Sequence, residues 1–382
     1  MKQKRIGIFG GTFQPVHLGH LTLAQRALDT LALDEVLFVP DRIPPHKPMA
    51  EGATDEDRLQ LLTLATREHP YFSIDTLEWE REGKSYTVDT LRILSERYPE
   101  AKLFFLMGSD MLLSFHTWYR PEEIASLATL VCTIRDGSDT EEKACAERLR
   151  RTIHAEVVLL PYVSPVSSTE IRDHVKKALP IGSLVPLSVE LCIYSLGLYQ
   201  PKNVRPLFDQ VRSVLSEKRM LHTAGVIKTA LDLAARYGAD PEKARIAALL
   251  HDCAKEFPKE ELLRRTTDSE PILPILHAEV GAMLAHEQYG VTDPEILKAI
   301  RLHTTGDANM TKLDKILFLA DAIEPGRNYP CVEELRKADS LDSAVLLALS
   351  RSLCYILNNG GRIHPATRRA IDDLGGNDGT VR

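Results

Sequence analysis

Residues 5–20 read RIGIFGGTFQPVHLGH, and this stretch decides how the N-terminal half of the chain folds. Its first part, 5–9, is mostly apolar and predicts a buried β-strand. Two glycines follow, and the amphipathic residues 19–31 predict a helix. Glycine lets backbone N–H groups approach an anion closely, and a helix N-terminus adds partial positive charge there. The order strand, glycine turn, helix therefore predicts a phosphate-binding loop.

Short apolar runs alternate with amphipathic stretches throughout the first 200 residues. The predicted strands cover 5–9, 35–39, 72–79, 102–107, 129–134 and 156–160. The predicted helices between them include 19–31, 55–68, 87–98 and 168–177. Because such alternation is typical of parallel sheets covered by helices on both faces, this half is predicted to be a doubly wound α/β domain.

The second half loses the strand pattern from about Leu207 onward and is predicted to be all-α. Asp240-Pro241-Glu242 and Asp293-Pro294-Glu295 each supply an N-cap aspartate, a proline at the first helical position and an acid in the first turn. These two starts open helices that run to about His251 and His303. Apolar spacing predicts further helices over 222–237, 277–289 and 312–323.

The change from the α/β pattern to the all-α pattern falls at residues 197–206, where glycine and two prolines interrupt both the strand and the helix periodicity. We therefore expect a linker here, with one domain over 1–200 and a second over 207–370. The glycine-rich residues 375–379 are predicted to be a frayed tail. The length of 382 residues agrees with two domains, since a typical domain has roughly 150.

Composition limits the function classes. Hydrophobic residues make up 44% and charged residues 26%, which is the balance of a soluble globular protein. We expect a cytoplasmic protein, because no secretory leader or membrane-length apolar run is evident. The six cysteines are scattered and predict reduced thiols. The net charge of −7 argues against nucleic-acid or anionic-membrane partners, although local phosphate sites remain possible. Oligomeric state is not readable.

His17 and His20 are spaced to lie on one face of the first helical turn, where two imidazoles can donate to polyphosphate oxygens. A single histidine beside a glycine turn is more often structural, but the whole string GGTFQPVHLGH is specific. It resembles the signature of the HxGH nucleotidyltransferase superfamily, which has a Rossmann-like fold. The resemblance implies that His17 and His20 bind ATP phosphates, with His20 the main donor in the transition state.

A second element, residues 166–172 (VSSTEIR), resembles the SSTxIR segment of the same superfamily. Serine and threonine hydroxyls can cap a helix start there, and Arg172 offers a planar donor fork to phosphate. The resemblance implies catalytic roles for His17, His20, Lys47 and Arg172. It implies ATP binding by Gly10, Gly11, Thr12, Phe13, Gly108, Asp110, Ser167, Ser168 and Thr169.

Further motifs resemble the nicotinate mononucleotide adenylyltransferase branch: PPHK at 44–47, SYTVDT at 85–90, MGSD at 107–110 and the following Trp118. The likeness implies that the mononucleotide 5′-phosphate attacks the α-phosphorus of ATP, with Mg²⁺ on the triphosphate. Nicotinamide mononucleotide and pantetheine phosphate remain alternative acceptors. The mononucleotide would be bound by His46, Lys47, Tyr86, Thr87 and Trp118.

Histidines and aspartates recur at helix ends in the second half. Imidazole and carboxylate groups converging from several helices can build a dinuclear metal site. Their order resembles HD-domain phosphohydrolases of the YqeK type, which hydrolyse diadenosine tetraphosphate symmetrically to ADP. The resemblance implies one metal on His222, His251, Asp252 and Asp321 and a second on His277 and His303. It also implies phosphate binding by Arg219, Lys255 and Arg327.

The residue types do not choose among iron, manganese and zinc, and the family resemblance favours iron. A binding or regulatory module that senses adenine nucleotides without hydrolysing them is the alternative for this half. The sequence therefore predicts a bifunctional enzyme with ATP, nicotinate mononucleotide and diadenosine tetraphosphate as small-molecule partners.

Overall fold

The computed structural model describes residues 3–44, 49–134, 140–161, 166–267, 270–330 and 332–375. The chain forms two compact units. The first unit comprises Met1–Arg172 with Ser183–Val189, and the second, which we call the helical unit, comprises Asp173–Gly182 with Glu190–Arg382. The predicted tail at 375–379 falls almost entirely outside the described residues.

The first unit is built on a sheet of six parallel strands in the order β3-β2-β1-β4-β5-β6. This confirms the predicted doubly wound α/β fold. The central strand β1 is fully buried at Ile6 and Ile8, as expected for a strand with helices on both faces. The strands are β1 (Arg5–Gly11), β2 (Glu35–Pro40), β3 (Phe72–Ile74), β4 (Lys102–Met107), β5 (Thr129–Ile134) and β6 (Val157–Pro161).

Helices connect the strands and cover the sheet. They are α1 (Leu18–Thr30), α2 (Asp55–Thr66), α3 (Thr87–Arg97), α4 (Ser109–Ser114), α5 (Pro121–Leu127), α6 (Thr140–Ile153), α7 (Ser168–Lys176) and α8 (Leu187–Leu196), with a 3-10 turn at Phe115–Thr117. The last two helices continue from the first unit into the helical unit.

The rest of the helical unit contains no strand among its described residues, as predicted. Its helices are α9 (Arg205–Val214), α10 (Glu217–Tyr237), α11 (Pro241–Leu250), α12 (Lys259–Arg265), α13 (Leu276–Glu287), α14 (Pro294–Leu302), α15 (Lys312–Ile323), α16 (Val332–Arg336), α17 (Leu341–Asn358) and α18 (Pro365–Gly375), with a 3-10 turn at Leu273–Ile275. Asp240 and Asp293 cap α11 and α14 through their side chains, in agreement with the sequence signals.

Two element boundaries differ by five residues from the sequence prediction because side chains redirect the backbone. β3 ends at Ile74 rather than 79, since the Asp75 carboxylate accepts the Leu77 N–H at 3.0 Å and starts a turn. α10 begins at Glu217 rather than 222, because the Ser216 hydroxyl accepts the Arg219 N–H at 3.3 Å and caps the helix there.

The predicted linker, 197–206, lies within the helical unit in this division of the chain. Arg245 on α11 is 1% exposed and accounts for part of this association. Its Nη1 donates to the Val175 carbonyl at 2.8 Å and to the Gln200 side chain at 2.9 Å. A buried guanidinium held by these partners ties the residues on either side of α8 to α11.

Within the described residues, α17 is long and apolar enough to cross a membrane by length and composition, with a mean hydropathy of 1.2 and 28% of the window buried. The helix carries Asp342 and Arg351, which form ion pairs with Lys315 and Glu334. Apolar helices of water-soluble proteins pass the same test, so α17 is weak evidence for a membrane span.

Candidate functional sites

The carboxyl ends of β1 and β4 lie side by side at the centre of the sheet. The chain leaves β1 toward β2 and leaves β4 toward β5, so their junction is the topological switch point where doubly wound sheets bind ligands. Gly10 and Gly11 end β1 and lead through Thr12 into the loop before α1. Gly108 follows β4 and caps α4, whose first turn holds the exposed Asp110. The fold therefore brings two of the predicted nucleotide-binding segments to one crevice.

His17 and His20 meet at the start of α1 in a reciprocal arrangement. His17 is the N-cap, and its Nδ1 accepts the His20 backbone N–H at 3.3 Å. His20 Nδ1 accepts the His17 N–H at the same distance, and the two rings stack with centroids 3.6 Å apart. Because both Nδ1 atoms accept hydrogen bonds, the proton of each neutral ring is on Nε2. Both Nε2–H groups are therefore suited to donate to an anion.

Burial lowers the pKa of His17 to about 4, so this imidazole is neutral at physiological pH. A neutral donor can bind phosphate without the cost of a buried charge. Gly19 allows the tight packing of this turn, because a Cβ at that position would lie 3.0 Å from His17 Nδ1 and would push that ring aside. The absence of a side chain at Gly19 thus leaves room for the stacked rings of His17 and His20.

A fully buried arginine holds the glycine-rich loop in place through hydrogen bonds to backbone carbonyls. Arg58 on α2 is 0% exposed, and its Nη1 donates to the Thr12 carbonyl at 2.8 Å. Its Nη2 donates to the Asp41 carbonyl and to the Asp55 carboxylate, both at 2.7 Å. Sequence reasoning missed this residue, because an arginine in an amphipathic helix normally predicts a solvated face.

Phe13, a predicted ATP-binding residue, is 1% exposed, with its ring centroid 5.1 Å from that of His20. Its side chain therefore packs within the loop. Only its backbone could take part in the ATP binding that the sequence predicts for this residue. The left-handed φ of 44° at Phe13 marks the sharp turn of the chain after β1.

The second predicted motif reaches the same loop. Ser168 Oγ donates to the Pro15 carbonyl at 2.9 Å, and Arg172 Nη1 donates to the Gln14 carbonyl at 2.7 Å. Arg172 Nη2 also donates to Thr169 Oγ1 at 3.1 Å, while Ser167 Oγ accepts the Glu170 N–H. The two motifs, more than 150 residues apart in sequence, therefore form one site. In this structure the guanidinium of Arg172 fixes the loop.

The predicted pyridine-binding residues are only partly together. Tyr86 is the N-cap residue of α3, Thr87 begins that helix, and both are half-buried. Trp118 is 8% exposed and packs on Phe105 and Phe115, with centroids 5.9 and 5.3 Å away. The neighbouring Tyr119 is exposed, and its ring lies 4.8 Å from that of Tyr86. His46 and Lys47 lie outside the described residues.

The helical unit brings all six predicted metal ligands together around one carboxylate. Asp252 Oδ1 lies 3.1 Å from His277 Nε2 and 3.7 Å from His303 Nε2. Its Oδ2 lies 3.4 Å from His251 Nε2 and 3.6 Å from His222 Nε2. The sixth ligand, Asp321 on α15, places Oδ1 3.2 Å from His222 Nε2. The two oxygens of Asp252 thus face two histidine pairs.

Backbone carbonyls fix the tautomers of two of these rings. His251 and His303 follow α11 and α14, and each Nδ1 donates at 2.7 Å to the carbonyl three residues earlier. Their Nε2 lone pairs therefore point into the cluster. His251 Nε2 lies 3.3 Å from His222 Nε2, whose Nδ1 faces the Glu324 carboxylate at 3.2 Å. Burial lowers the pKa of His222, but the Asp321 and Glu324 carboxylates outweigh burial and raise it, so either a proton or a metal ion between the two Nε2 atoms relieves the repulsion of their lone pairs.

This donor set fits transition-metal ions. The ligand atoms of His222, His251 and Asp321, and those of His251, Asp252 and His303, lie within 4.8 Å of one another. Anchoring of the second ring nitrogen is the usual arrangement of metal-binding histidines. The residues of this unit can therefore hold divalent ions, with Asp252 able to reach both groups.

Electrostatics keep the two carboxylates ionised. Burial raises the pKa of Asp252, but the facing imidazoles outweigh burial and hold it well below the ordinary range. The pKa of Asp321 is likewise lowered, since His222 and Arg327 outweigh burial. For His277, burial dominates and lowers the pKa to about 4, which favours the neutral form that binds metals.

The three predicted phosphate-binding bases surround the cluster. Arg219 Nη1 donates to Asp252 Oδ2 at 2.7 Å, and Arg327 forms an ion pair with Asp321. Lys255 Nζ lies within 3.3 Å of both ring nitrogens of His277, and burial lowers its pKa. All three cations therefore contact predicted metal ligands. Sequence reasoning gave no role to Glu324, although its position three residues after Asp321, at the C-cap of α15, could have indicated its proximity.

Two family models match the chain, one in each half. Residues 8–174 match the Cytidylyltransferase-like family, and residues 219–326 match the HD domain family. A crystal structure from Clostridium acetobutylicum, described as a predicted HD superfamily hydrolase involved in NAD metabolism, is 39% identical and covers 44% of this chain and 95% of that chain, with a TM-score of 0.43.

Curated relatives match the N-terminal half. A protein named "Probable nicotinate-nucleotide adenylyltransferase" from Halalkalibacterium halodurans is 42% identical over 203 residues, which are 53% of this chain and 94% of the relative. The nicotinate-nucleotide adenylyltransferase of Bacillus subtilis is 38% identical over 197 residues, which are 52% of this chain and 99% of the relative. Together with the histidine pair at the switch point and the HD match, these relatives show that the chain belongs to the nicotinate-nucleotide adenylyltransferase family through its N-terminal half and carries an HD domain after it.

Proposed function

We propose that the N-terminal domain, over about residues 1–200, transfers the adenylyl group of ATP to nicotinate mononucleotide, giving nicotinate adenine dinucleotide and pyrophosphate. The stacked pair of His17 and His20 at the switch point carries the proposal, since both Nδ1 atoms accept hydrogen bonds and each neutral ring therefore carries its N–H on Nε2, as a donor suited to polyphosphate. The family relatives support the choice of acceptor. We expect the reaction to occur in the cytoplasm.

This reaction requires no protein nucleophile, because the mononucleotide phosphate itself attacks the α-phosphorus. The chain's contribution is to orient both substrates and to stabilise negative charge on the phosphoryl oxygens. His20 and His17 donate to those oxygens, and Lys47 adds charge. Arg172 holds the loop at Gln14, and its remaining N–H groups can bind a phosphate oxygen. Mg²⁺ enters with ATP as its counter-ion.

The HD domain, over about residues 207–370, is proposed to hydrolyse diadenosine tetraphosphate to ADP. The carboxylate of Asp252 facing two histidine pairs carries this proposal. When bound, two divalent ions supply the Lewis acidity for phosphoanhydride hydrolysis. His222, His251, Asp252 and Asp321 would hold one ion, and His277 with His303 the other, with Asp252 Oδ1 within reach of the second. Iron is the metal that the family resemblance favours.

Around the ligands, the chain's own cations balance a polyanionic substrate. Arg219 and Arg327 each neutralise a carboxylate in this structure, and their remaining N–H groups can bind phosphate oxygens. Lys255, with its lowered pKa, is the base nearest His277.

One experiment tests both proposals: the purified full chain is assayed with ATP plus nicotinate mononucleotide and, separately, with diadenosine tetraphosphate. We expect pyrophosphate release to be fastest with nicotinate mononucleotide and ADP to be the sole product of the second reaction. Equal kcat/KM for nicotinamide mononucleotide or pantetheine phosphate would refute the acceptor. Absence of both bound transition metal and ADP formation would refute the hydrolase and leave a nucleotide-sensing domain.

A further inference from the structure

A cavity of 460 Å³ lies in the helical unit, and no residue of the metal cluster lines it. Its walls come from the 3-10 turn before α13, from α13 itself, from the end of α14 and from the start of α18. We call it the α14 cavity. Its volume lies within the range of about 300–1,000 Å³ that is typical of small-molecule sites.

The α14 cavity lies directly beside two of the candidate metal ligands. Leu276 lines it and precedes His277, while Leu302 and Thr304 line it on either side of His303. Consecutive Cα atoms are about 3.8 Å apart, so the backbone that carries these two histidines also forms the cavity wall. The α14 cavity and the metal cluster therefore use neighbouring residues of α13 and of the end of α14, and a substrate bound to both would have to extend from one to the other.

One wall of the α14 cavity is apolar and suits a flat ring system. Ile272, Leu276, Met283 and Leu302 supply aliphatic and thioether groups. Aliphatic and sulfur surfaces pack well against aromatic heterocycles, and methionine adapts its shape to them. An apolar wall with few convergent polar groups is the usual composition of a site for a nucleoside-sized ligand.

Two polar groups of the cavity are left for a ligand. Thr304 Oγ1 is buried and has no hydrogen-bond partner among the described residues. Arg301 is exposed, and no ion pair is found for it in the described part of the chain. Burying a hydroxyl without a hydrogen-bond partner costs free energy, which a ligand can recover by bonding to it. A guanidinium without an ion pair attracts phosphate.

Both acids of the cavity have protein partners, but only Asp307 is paired with a cation. Glu279 accepts hydrogen bonds from Thr266 and Thr267, and Asp307 receives two from Arg369, at 2.7 and 2.9 Å. Glu279 therefore keeps its negative charge, and Arg301 is the cation of the cavity that has no ion pair among the described residues. The cavity thus combines an apolar wall, one open hydroxyl and one unpaired cation, which are complementary to a base, a ribose and a phosphate.

From this combination we propose that the α14 cavity binds one nucleoside monophosphate end of a dinucleoside polyphosphate. The base packs on Met283 and Leu302. Thr304 Oγ1 forms a hydrogen bond with the nucleoside, and Arg301 contacts the adjoining phosphate. This inference rests on the proposed hydrolase, because it names the site by which that enzyme holds its substrate.

The test compares full-length wild type with Arg301→Ala, which removes the free cation, and Met283→Trp, which fills the cavity. Arg264→Ala is the matched control, because Arg264 is an exposed arginine of the same unit that pairs with Glu261. Three readouts are measured: kcat and KM for diadenosine tetraphosphate, bound metal, and ADP binding by equilibrium dialysis.

We expect both cavity variants to raise KM at least tenfold, to leave kcat within about threefold and metal content unchanged, and to lose one ADP site per chain, while the control behaves as wild type. If wild type hydrolyses the substrate and the variants match it in KM and ADP binding, the cavity proposal is overturned and the hydrolase stands. If wild type hydrolyses nothing but the variants still lose the ADP site, the hydrolase fails and the cavity stands. Equal ADP binding in all four proteins, without hydrolysis, overturns both.

Discussion

Glu324 Oε1 lies 3.2 Å from Nδ1 of His222, on the side of the ring opposite the metal cluster. Glu324 is 5% exposed, and its carboxylate also accepts the Gly326 N–H. The pair has the form of a carboxylate–histidine–metal relay, in which the carboxylate fixes the tautomer that turns the Nε2 lone pair toward the metal. This contact explains how His222, in the second turn of α10, is oriented without a backbone carbonyl.

Replacing Glu324 is expected to weaken metal binding without removing a ligand. Glu324→Gln should lower metal affinity by roughly 10–100-fold, since it removes the charge that orients and polarises His222. Metal retained after dialysis against graded chelator concentrations measures this. Glu260→Gln, at an exposed position in the first turn of α12, is the control. Wild-type retention in Glu324→Gln would contradict the orienting role.

The two activities should be separable by single substitutions. His20→Ala is expected to reduce adenylyl transfer by about 10²–10³-fold, as for the loss of a preorganised donor, and to leave diadenosine tetraphosphate hydrolysis unchanged. Asp252→Ala should do the reverse, because it removes the carboxylate shared by both histidine pairs. Parallel assays of both reactions on each variant check this. Loss of both activities from either change, in a protein that still melts cooperatively, would show coupled sites.

Arg58 should be required for the stability of the phosphate-binding loop. Arg58→Met leaves the half-buried Thr12 and Asp41 carbonyls without this donor, at a cost of up to about 1–3 kcal/mol for each group. We expect a lower melting temperature and a raised KM for ATP. Arg67→Met, at the exposed C-terminal end of the same helix, should change neither. Stability of Arg58→Met equal to that of the control would refute the supporting role.

Glu190 should make the helical unit sensitive to pH. This side chain is 1% exposed, and neither oxygen has a hydrogen-bond partner among the described residues. Burial raises its pKa from 4.5 to about 7, with Lys228 opposing and Asp232 adding to the shift. Between these values the folded state holds a proton that the unfolded chain releases. Stability contributed by Glu190 is therefore full below about pH 4.5, is lost as pH rises to about 7, and amounts to about 3 kcal/mol.

Glu190→Gln removes this titration, so its melting temperature should exceed that of wild type at pH 8 and approach it at pH 4.5. Thermal melts across this range are the measurement. Glu217→Gln, at an exposed first-turn position of α10, is the control and should follow wild type. A wild-type pH profile in Glu190→Gln would mean that another group is responsible.

Much of the architecture is local and could be predicted. The parallel sheet followed from the alternation of apolar runs with amphipathic stretches, and the starts of α11 and α14 from two Asp-Pro-Glu motifs whose caps act within one turn. The strand end at Ile74 and the start of α10 were missed, because a single capping side chain, Asp75 or Ser216, outweighed the hydrophobic pattern.

Sequence motifs named many candidate site residues but neither their geometry nor the residues that support them. Motif order identified His17, His20 and the six metal-ligand candidates. It could not show that His17 and His20 cap each other, or that Asp252 turns one oxygen toward each histidine pair. Trp118 and Tyr119 illustrate the limit, since adjacent aromatics read alike in sequence although one is buried and the other exposed.

The sequence by itself determined the elements and the chemical types of the two sites, because helix caps, hydrophobic periodicity and short motifs act over a few residues. Only the tertiary structure decided which side chains support those sites. Arg58 under Thr12, Glu324 behind His222 and the open hydroxyl of Thr304 arise from contacts between segments distant in the chain or from burial. Such groups have no local signature, since the cost of burying a charge or a polar atom is set by partners that folding alone brings near.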